Sequence, residues 1–132
     1  MKKFLVPVLV LFAIAVIMIF SLKSEHEAGL TLAMLQEEAI QSNKALVVQF
    51  SSDGCITCRK MKPALDKIEA EGGDRYGLKV VDIDINAGIA IELAITAVPV
   101  QIFISPKGEI LQRHLGYLSY KDFTDIFTEH EI

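Results

Sequence analysis

The sequence predicts an α/β domain in which a mixed four-stranded sheet carries helices on both faces, preceded by one N-terminal transmembrane helix. Three observations lead to this prediction: an uncharged apolar segment near the N-terminus, short apolar runs typical of buried strands, and amphipathic segments between those runs. With 132 residues the chain has room for one domain of ordinary size. We assign residues 1–23 to a membrane anchor or signal segment, residues 24–29 to a linker and residues 30–132 to the domain.

The N-terminal segment is long enough to approach the thickness of a bilayer. Residues 4–20 read FLVPVLVLFAIAVIMIF and, as a helix, would span roughly 26 Å against a hydrocarbon core of about 30 Å. An uncleaved anchor and a cleaved secretory signal both stay open, and the anchor is favoured because no small-residue cleavage pattern follows. Lys2 and Lys3 predict a cytoplasmic N-terminus, so the domain would face the periplasm or the cell exterior.

The charges of the domain are predominantly acidic. The whole chain has a net charge of −4, whereas residues 24–132 carry ten basic and seventeen acidic side chains. Nucleic-acid binding requires a basic face, so the composition argues against a DNA or RNA partner.

The domain is predicted to contain eight elements in the order α-β-α-β-α-β-β-α. Thr31 is a suitable N-cap for the first helix, and the pair of glycines that begins at Gly72 ends the second. A Pro-Lys-Gly turn joins the last two strands as a hairpin, and Ser119 with Asp122 resembles a capping box for the last helix. The predicted ranges are helix 31–43, strand 45–50, helix 55–71, strand 78–85, helix 87–95, strand 100–105, strand 109–115 and helix 119–129.

The connections predict how the strands pair. Strands joined by a helix are expected to be parallel, with right-handed crossovers. The final hairpin then adds an antiparallel strand at the edge of the sheet.

The two cysteines of the chain carry the predicted chemistry. Cys55 and Cys58 lie one helical turn apart, where a strand and a polar turn lead into a helix. Two thiols at this spacing can form a disulfide and so carry two electrons, while the N–H groups and dipole of the helix N-terminus stabilise a thiolate on Cys55. Cys55 is therefore the predicted nucleophile and Cys58 the resolving thiol of a couple that needs no bound cofactor.

Other uses of the cysteine pair stay open. A structural disulfide would close only a small loop and stabilise the fold little. A zinc site would need two further ligands, and the three histidines lack ligand spacing to the pair, so no metal site is predicted. Soft thiolates suit Cu(I), so the second hypothesis is a membrane-anchored chaperone or assembly factor that binds Cu(I) through Cys55 and Cys58 without redox turnover.

Four motifs, FSSDGCITCRKMKP, VVDIDIN, AVPVQIFISPKGE and HLGYLS, make the chain from about Leu30 to Glu129 resemble the thioredoxin superfamily. The resemblance implies a thioredoxin-like fold and a thiol-disulfide oxidoreductase that reduces protein disulfides without a cofactor. The chain looks most like membrane-anchored extracytoplasmic thioredoxin-like proteins and the thioredoxin-like domain of thiol:disulfide interchange proteins. That likeness implies a membrane electron donor of the thiol:disulfide interchange type as a partner.

The resemblance also implies site residues beyond the cysteines. Pro63 stands five residues after the second cysteine, where the family has a proline that kinks the helix. Val98 and Pro99 stand at the family's cis-proline loop, which implies a cis Pro99 and a Val98 backbone that pairs with the substrate chain. Gly116 matches a family glycine near the active-site face.

Several positions depart from the family pattern. Gly54 replaces the usual tryptophan, and Ile56 and Thr57 replace the usual Gly-Pro between the cysteines. The residues between the cysteines tune the reduction potential in the superfamily, so the direction of electron flow stays open. Gln49 replaces a buried aspartate that is assigned as proton acceptor for the resolving thiol, and an amide cannot take that proton. Either water or another acid would serve instead, or exchange would be slower.

Overall fold

The computed structural model describes residues 10–18 and 29–132. Residues 10–18 are helical, with exposed side chains. The predicted anchor and linker fall largely on residues 1–9 and 19–28, which lie outside the described residues, so both stay predictions. Within the described ranges, no helix combines the length and the apolar character that crossing a membrane requires.

The eight elements of the domain occur in the predicted order. They are α1 (Leu32–Ser42), β1 (Ala45–Ser51), α2 (Ile56–Gly72), β2 (Tyr76–Asp82), α3 (Ala87–Glu92), β3 (Val100–Ile104), β4 (Ile110–Leu115) and α4 (Tyr120–Glu129).

The strands form one mixed sheet in the order β2-β1-β3-β4. β1 and β2 are parallel, as predicted, whereas β3 is antiparallel to β1 and β4 is antiparallel to β3. The expectation of a parallel β3 is therefore wrong. The reason is length: the six residues of α3 rise only about 9 Å, while a seven-residue strand spans about 23 Å. The chain re-enters the sheet from the end at which β2 left it.

Each face of the sheet buries its own core. The α2/α4 face is covered by the helices α2 and α4, and its core is built around the rings of Tyr76, Phe103, Phe123 and Phe127. The α1/α3 face is covered by α1 and α3, and apart from Phe50 its core is aliphatic. β1 lies between β2 and β3 and contributes buried side chains to both cores.

Both boundaries of β2 differ from the sequence prediction, the first because of contacts distant in sequence and the second because of a local turn. β2 begins at Tyr76, not at residue 78, because the Tyr76 ring packs at 4.3 Å from the Phe127 ring and its backbone pairs with Ala45. β2 ends at Asp82, not at residue 85. The Asp82 carboxylate accepts the N–H of Asp84 at 2.8 Å and turns the chain.

The third helix is also shorter than the predicted range 87–95. It ends at Glu92, and Ala94 adopts a left-handed conformation with φ of 49°. The Arg113 guanidinium, on β4, donates to the carbonyl oxygens of Leu93 at 2.6 Å and of Ala94 at 3.2 Å. These bonds satisfy carbonyls at the end of the helix and fix the start of the loop that leads to β3.

Candidate active site

Cys55 occupies the N-cap of α2. The helix itself begins at Ile56, one residue after the start of the predicted range 55–71. A turn from β1 delivers it there, in which the N–H of Cys55 donates to the carbonyl of Ser52 at 3.1 Å. The Sγ of Cys55 accepts the N–H of Cys58 at 3.1 Å. The Cys55 sulfur thus takes the place of the side-chain oxygen that usually caps a helix. It lies next to the positive end of the dipole of this seventeen-residue helix.

The two cysteines are joined by a disulfide, with their Cα atoms 5.2 Å apart. Cys55 is partly exposed, whereas Cys58 is only 9% exposed. After reduction, a substrate would therefore reach Cys55 from solvent, and the Cys58 thiol would stay covered. The predicted roles of nucleophile and resolving thiol require such an asymmetry, and they stay predictions.

The residues between and around the cysteines lie at the surface. Ile56 is 62% exposed, and Thr57 and Gly54 are also exposed. A Cβ added to Gly54 would meet no atom within 4 Å, so the space beside the disulfide is open. Pro63 lies inside α2, as the resemblance implied, where it has no N–H to donate to the preceding turn.

The proline loop lies at the same end of the sheet as the disulfide. The peptide bond between Val98 and Pro99 is cis, in agreement with the resemblance. β3 begins next to it with Val100, which pairs with Phe50 near the end of β1, just before the turn that leads to Cys55. The N–H of Gly116 donates to the carbonyl of Pro99 at 2.8 Å. The register of the sheet therefore brings the cysteine turn, the Val98-Pro99 loop and Gly116 to the same end of the sheet.

Gly116 has a conformation that its position requires. Its φ of 112° lies in a region that side-chain-bearing residues rarely adopt. Gly116 directly follows β4, and its conformation directs its N–H to the Pro99 carbonyl. The contact puts Gly116 beside Pro99, and its predicted part in the active site stays a prediction.

Gln49 is buried against a second glutamine that the sequence analysis missed. Gln49 is 1% exposed and Gln101 is fully buried, and the two are direct partners across β1 and β3. The Nε2 of Gln101 donates to the Oε1 of Gln49 at 2.8 Å and lies 3.7 Å from the Sδ of Met61. The Oε1 of Gln101 has no hydrogen-bond partner within the described part of the chain. A signal did exist, because each glutamine stands alone in an apolar run, VVQF or VQIF.

A groove opens beside Cys58, between α2 and the edge strand β2. We call it the Cys58 groove. Its volume is about 460 Å³, and Gln49, Cys58, Leu65, Leu78 and Val80 are among its lining residues. Cys55 does not line it in the part of the chain that the structure describes.

The structure gives the cysteine pair no additional metal ligands among residues 10–18 and 29–132. No group of three or more His, Cys, Asp or Glu side chains in these ranges could hold a metal ion. Two charged side chains near the cysteine turn are bonded to backbone groups. The Arg59 guanidinium donates to the carbonyl of Asp53 at 2.9 Å, and the Asp84 carboxylate accepts the N–H of Asp53 at 3.3 Å.

Comparison with known proteins agrees with this geometry. Residues 28–129 match the sequence profile of the family described as Thioredoxin. The chain is 30% identical over 86 residues to Thioredoxin-T of Drosophila melanogaster, a match that covers 65% of this chain and 54% of that protein. It is 30% identical over 81 residues to the mitochondrial thioredoxin of Mus musculus, covering 61% of this chain and 48% of that protein. The chain thus spans about half the length of these relatives.

A solved structure has a similar fold. That structure, described as "Structure of a malarial protein", superposes on this chain with a TM-score of 0.63 at 25% sequence identity. The match covers 67% of this chain and 99% of that chain.

Proposed function

Because this chain belongs to the thioredoxin family, with residues 28–129 matching its profile, we propose that it is a thiol-disulfide oxidoreductase that reduces disulfides of protein substrates. The observation that carries the proposal is the Cys55–Cys58 disulfide at the N-terminus of α2, where the Sγ of Cys55 accepts the N–H of Cys58. That position stabilises the Cys55 thiolate, which is the form that attacks disulfides.

The reaction follows from the different exposure of the two cysteines. In the reduced protein, the Cys55 thiolate attacks one sulfur of the substrate disulfide and expels the other as a thiolate, which takes up a proton. Cys58, one turn deeper and mostly covered, then attacks the Sγ of Cys55 in the mixed disulfide. The substrate leaves with two thiols, and the Cys55–Cys58 disulfide returns. The couple has supplied two electrons.

The proline loop is the proposed docking site for the substrate chain. The backbone of Val98 would pair with the extended chain on one side of the substrate cysteine. Support comes from the sheet register, in which Pro99 lies at the end of the sheet that carries the disulfide. Further support comes from the hydrogen bond that the Gly116 N–H donates to the Pro99 carbonyl.

The test is insulin reduction by the full-length chain, with dithiothreitol as the source of electrons. We expect turnover in the parent and background rates in Cys55→Ser. Cys58→Ser is the matched control: it keeps the nucleophile, so it should accumulate a covalent mixed disulfide with insulin that Cys55→Ser cannot form. Tight Cu(I) binding in the parent, together with no insulin reduction, would instead favour the binding module.

The reduction potential decides the direction of electron flow. Equilibration of the full-length chain with glutathione should give a value near about −270 mV for a reductase. A value near about −120 mV would overturn the reductase direction and indicate a donor of disulfides.

The location and the electron donor form a separate part of the proposal. We propose that residues 1–23 anchor the chain, that the domain faces the periplasm or the cell exterior, and that a membrane electron donor of the thiol:disulfide interchange type re-reduces Cys55 and Cys58. The apolar run 4–20 and the preceding Lys2 and Lys3 support this. Retention in the membrane fraction with an intact N-terminal mass is the expected result, and a mature chain that starts near Ala28 would overturn the anchor.

A further inference from the structure

The third helix, α3, is apolar on all its sides although one side faces solvent. Residues 85–100 read INAGIAIELAITAVPV and contain one charged side chain, Glu92. Ile89 is buried in the core of the α1/α3 face, whereas Ile91 is 80% exposed and Ile85, in the turn before α3, is 81% exposed. A helix on the surface of a soluble domain normally carries charged or polar side chains on its outer side. The outer side of α3 is therefore suited to an apolar partner.

The chain enters the domain beside this helix. The carboxylate of Glu92, the last residue of α3, accepts the N–H of Leu32, the first residue of α1, at 3.1 Å. Residues 24–31 separate Leu32 from the apolar N-terminal segment, which ends at residue 23. Fully extended, a tether of this length reaches at most about 29 Å. A membrane that holds residues 1–23 would therefore keep α3 within this distance.

The same helix lies at the end of the sheet that carries the disulfide. The turn before α3 is bonded to the cysteine turn, because the N–H of Ile83 donates to the carbonyl of Ser51 at 2.9 Å and the Asp84 carboxylate accepts the N–H of Asp53. The loop after α3 leads to Pro99 at the same end of the sheet. A surface that covers α3 is therefore also close to the disulfide.

A lipid bilayer fits the outer side of α3 by both chemistry and position. Aliphatic side chains without neighbouring charges are suited to the interface of a membrane. Two isoleucines bury too little surface to hold a free domain tightly, but a short tether raises the effective concentration to about the millimolar range. Because residues 24–132 carry ten basic and seventeen acidic side chains, the contact should be stronger with zwitterionic than with anionic lipid.

We propose that the full-length chain rests on its membrane by α3, with Ile85 and Ile91 in the headgroup region, and that this contact holds the Cys55–Cys58 disulfide at the bilayer surface. The disulfide then exchanges with thiols that lie at that surface, as those of an integral membrane protein do. Two such thiols become one disulfide, and their two electrons and two protons convert Cys55 and Cys58 to thiols. The proposal rests on the proposed membrane anchor and adds an orientation to it.

Tryptophan fluorescence tests the orientation, because the chain has no tryptophan of its own. Full-length Ile91→Trp is reconstituted into phosphatidylcholine vesicles that contain brominated phosphatidylcholine as a quencher. We expect its emission to shift to shorter wavelength and to lose intensity. Ile110→Trp is the matched control, because Ile110 is 44% exposed at the opposite end of the sheet, and its emission should stay unquenched. No quenching of Ile91→Trp, or equal quenching of the two variants, would overturn the proposal.

Flotation of the same vesicles separates the orientation from the anchor. A chain that floats with the vesicles while Ile91→Trp stays unquenched contradicts the orientation alone and leaves α3 to a protein partner. A chain that does not float contradicts the proposed anchor, and the orientation with it. Loss of quenching when part of the lipid is phosphatidylglycerol, with recovery at high salt, is the result expected for an acidic domain.

A negative charge on α3 is the second test. In vesicles that contain phosphatidylthioethanol, a lipid with a thiol headgroup, the disulfide of Ile91→Asp should be reduced about tenfold more slowly than that of the parent, because a carboxylate is costly to bring into lipid. Ile110→Asp makes the same change at the opposite end and should match the parent. Dithiothreitol should reduce all three proteins at one rate, and thermal unfolding checks that all three are folded. Equal rates with the thiol lipid in the two variants would refute the contact.

Discussion

The two faces of the sheet differ in what they bury. The α1/α3 face is packed mainly with aliphatic side chains. The α2/α4 face combines four aromatic rings with the buried amides of Gln49 and Gln101, and it carries the helix that Cys55 caps. One face therefore serves mainly to bury apolar surface. The other accepts buried polar groups beside the disulfide, where a groove opens the core to solvent.

The largest effect should come from the aromatic core. Phe103 is fully buried, and its ring lies 6.1 Å from both the Phe123 and the Phe127 ring, joining the sheet to α4. Phe103→Ala should lower the free energy of unfolding by about 3–5 kcal/mol. Ile104→Val, on the α1/α3 face, should cost about 0.5–1.5 kcal/mol. Urea denaturation of the full-length chain measures both free energies of unfolding. Similar losses would show that the aromatic core does not contribute more to stability than the aliphatic one.

The amide pair should show strong coupling. Gln49→Leu removes the acceptor of the Gln101 amide and should cost about 1–3 kcal/mol. Gln101→Leu should cost less, because it also removes the Oε1 that has no partner in the described part of the chain. The double variant replaces both polar groups and should be close to the parent in stability. Additive losses in this double-mutant cycle would mean that the two amides act independently.

The N-terminal caps of α4 and α1 also differ between the two faces of the sheet. Ser119 and Asp122 form a reciprocal capping box on α4, whereas Thr31 caps α1 through a single long bond of 3.4 Å. Ser119→Ala should therefore cost about 1 kcal/mol, and Thr31→Ala less. Thermal unfolding of the two variants under identical conditions measures the difference. A larger loss in Thr31→Ala would reverse the ranking of the two caps.

The smallest effect should be a pH dependence of the α4 cap. Hydrogen bonds from the Ser119 side chain and then the Ser119 backbone hold the pKa of Asp122 below its ordinary value. The charged carboxylate thus stabilises the fold above a pH of about 3.9, and this contribution disappears as the pH falls through the lower folded pKa. The stability difference between the parent and Asp122→Asn should therefore shrink on acidification. A difference that stays constant from about pH 5 to about pH 2 would contradict this assignment.

Much of the fold could be predicted because local signals agree with it. The apolar run of β1, the cap at Thr31 and the capping box at Ser119 each depend on neighbours in sequence, and the structure has them where they were predicted. The direction of β3 and the early end of α3 were missed. They depend on how far a short helix reaches and on Arg113, a residue some twenty positions away that takes the carbonyl oxygens of Leu93 and Ala94.

Part of the candidate site could likewise be predicted from the sequence, and part could not. Cys55, Cys58 and Pro99 could be named because their spacing and family pattern are visible in the sequence, and the disulfide and the cis peptide bond agree. Their catalytic roles stay predictions. The isolated Gln101 in VQIF was a sequence signal for a buried polar side chain, but its partner Gln49 could be named only from the register of β1 and β3.

The loop that ends at Pro99 is fastened at both ends from the region of β4. Arg113 holds its first carbonyls, and the Gly116 N–H holds the carbonyl of Pro99. A segment already fixed in this way has little conformational entropy left to lose when another chain docks on it. The contacts from the region of β4 thereby pre-organise the loop that we propose as the docking site, so that the ordering cost of docking would fall mainly on the incoming chain.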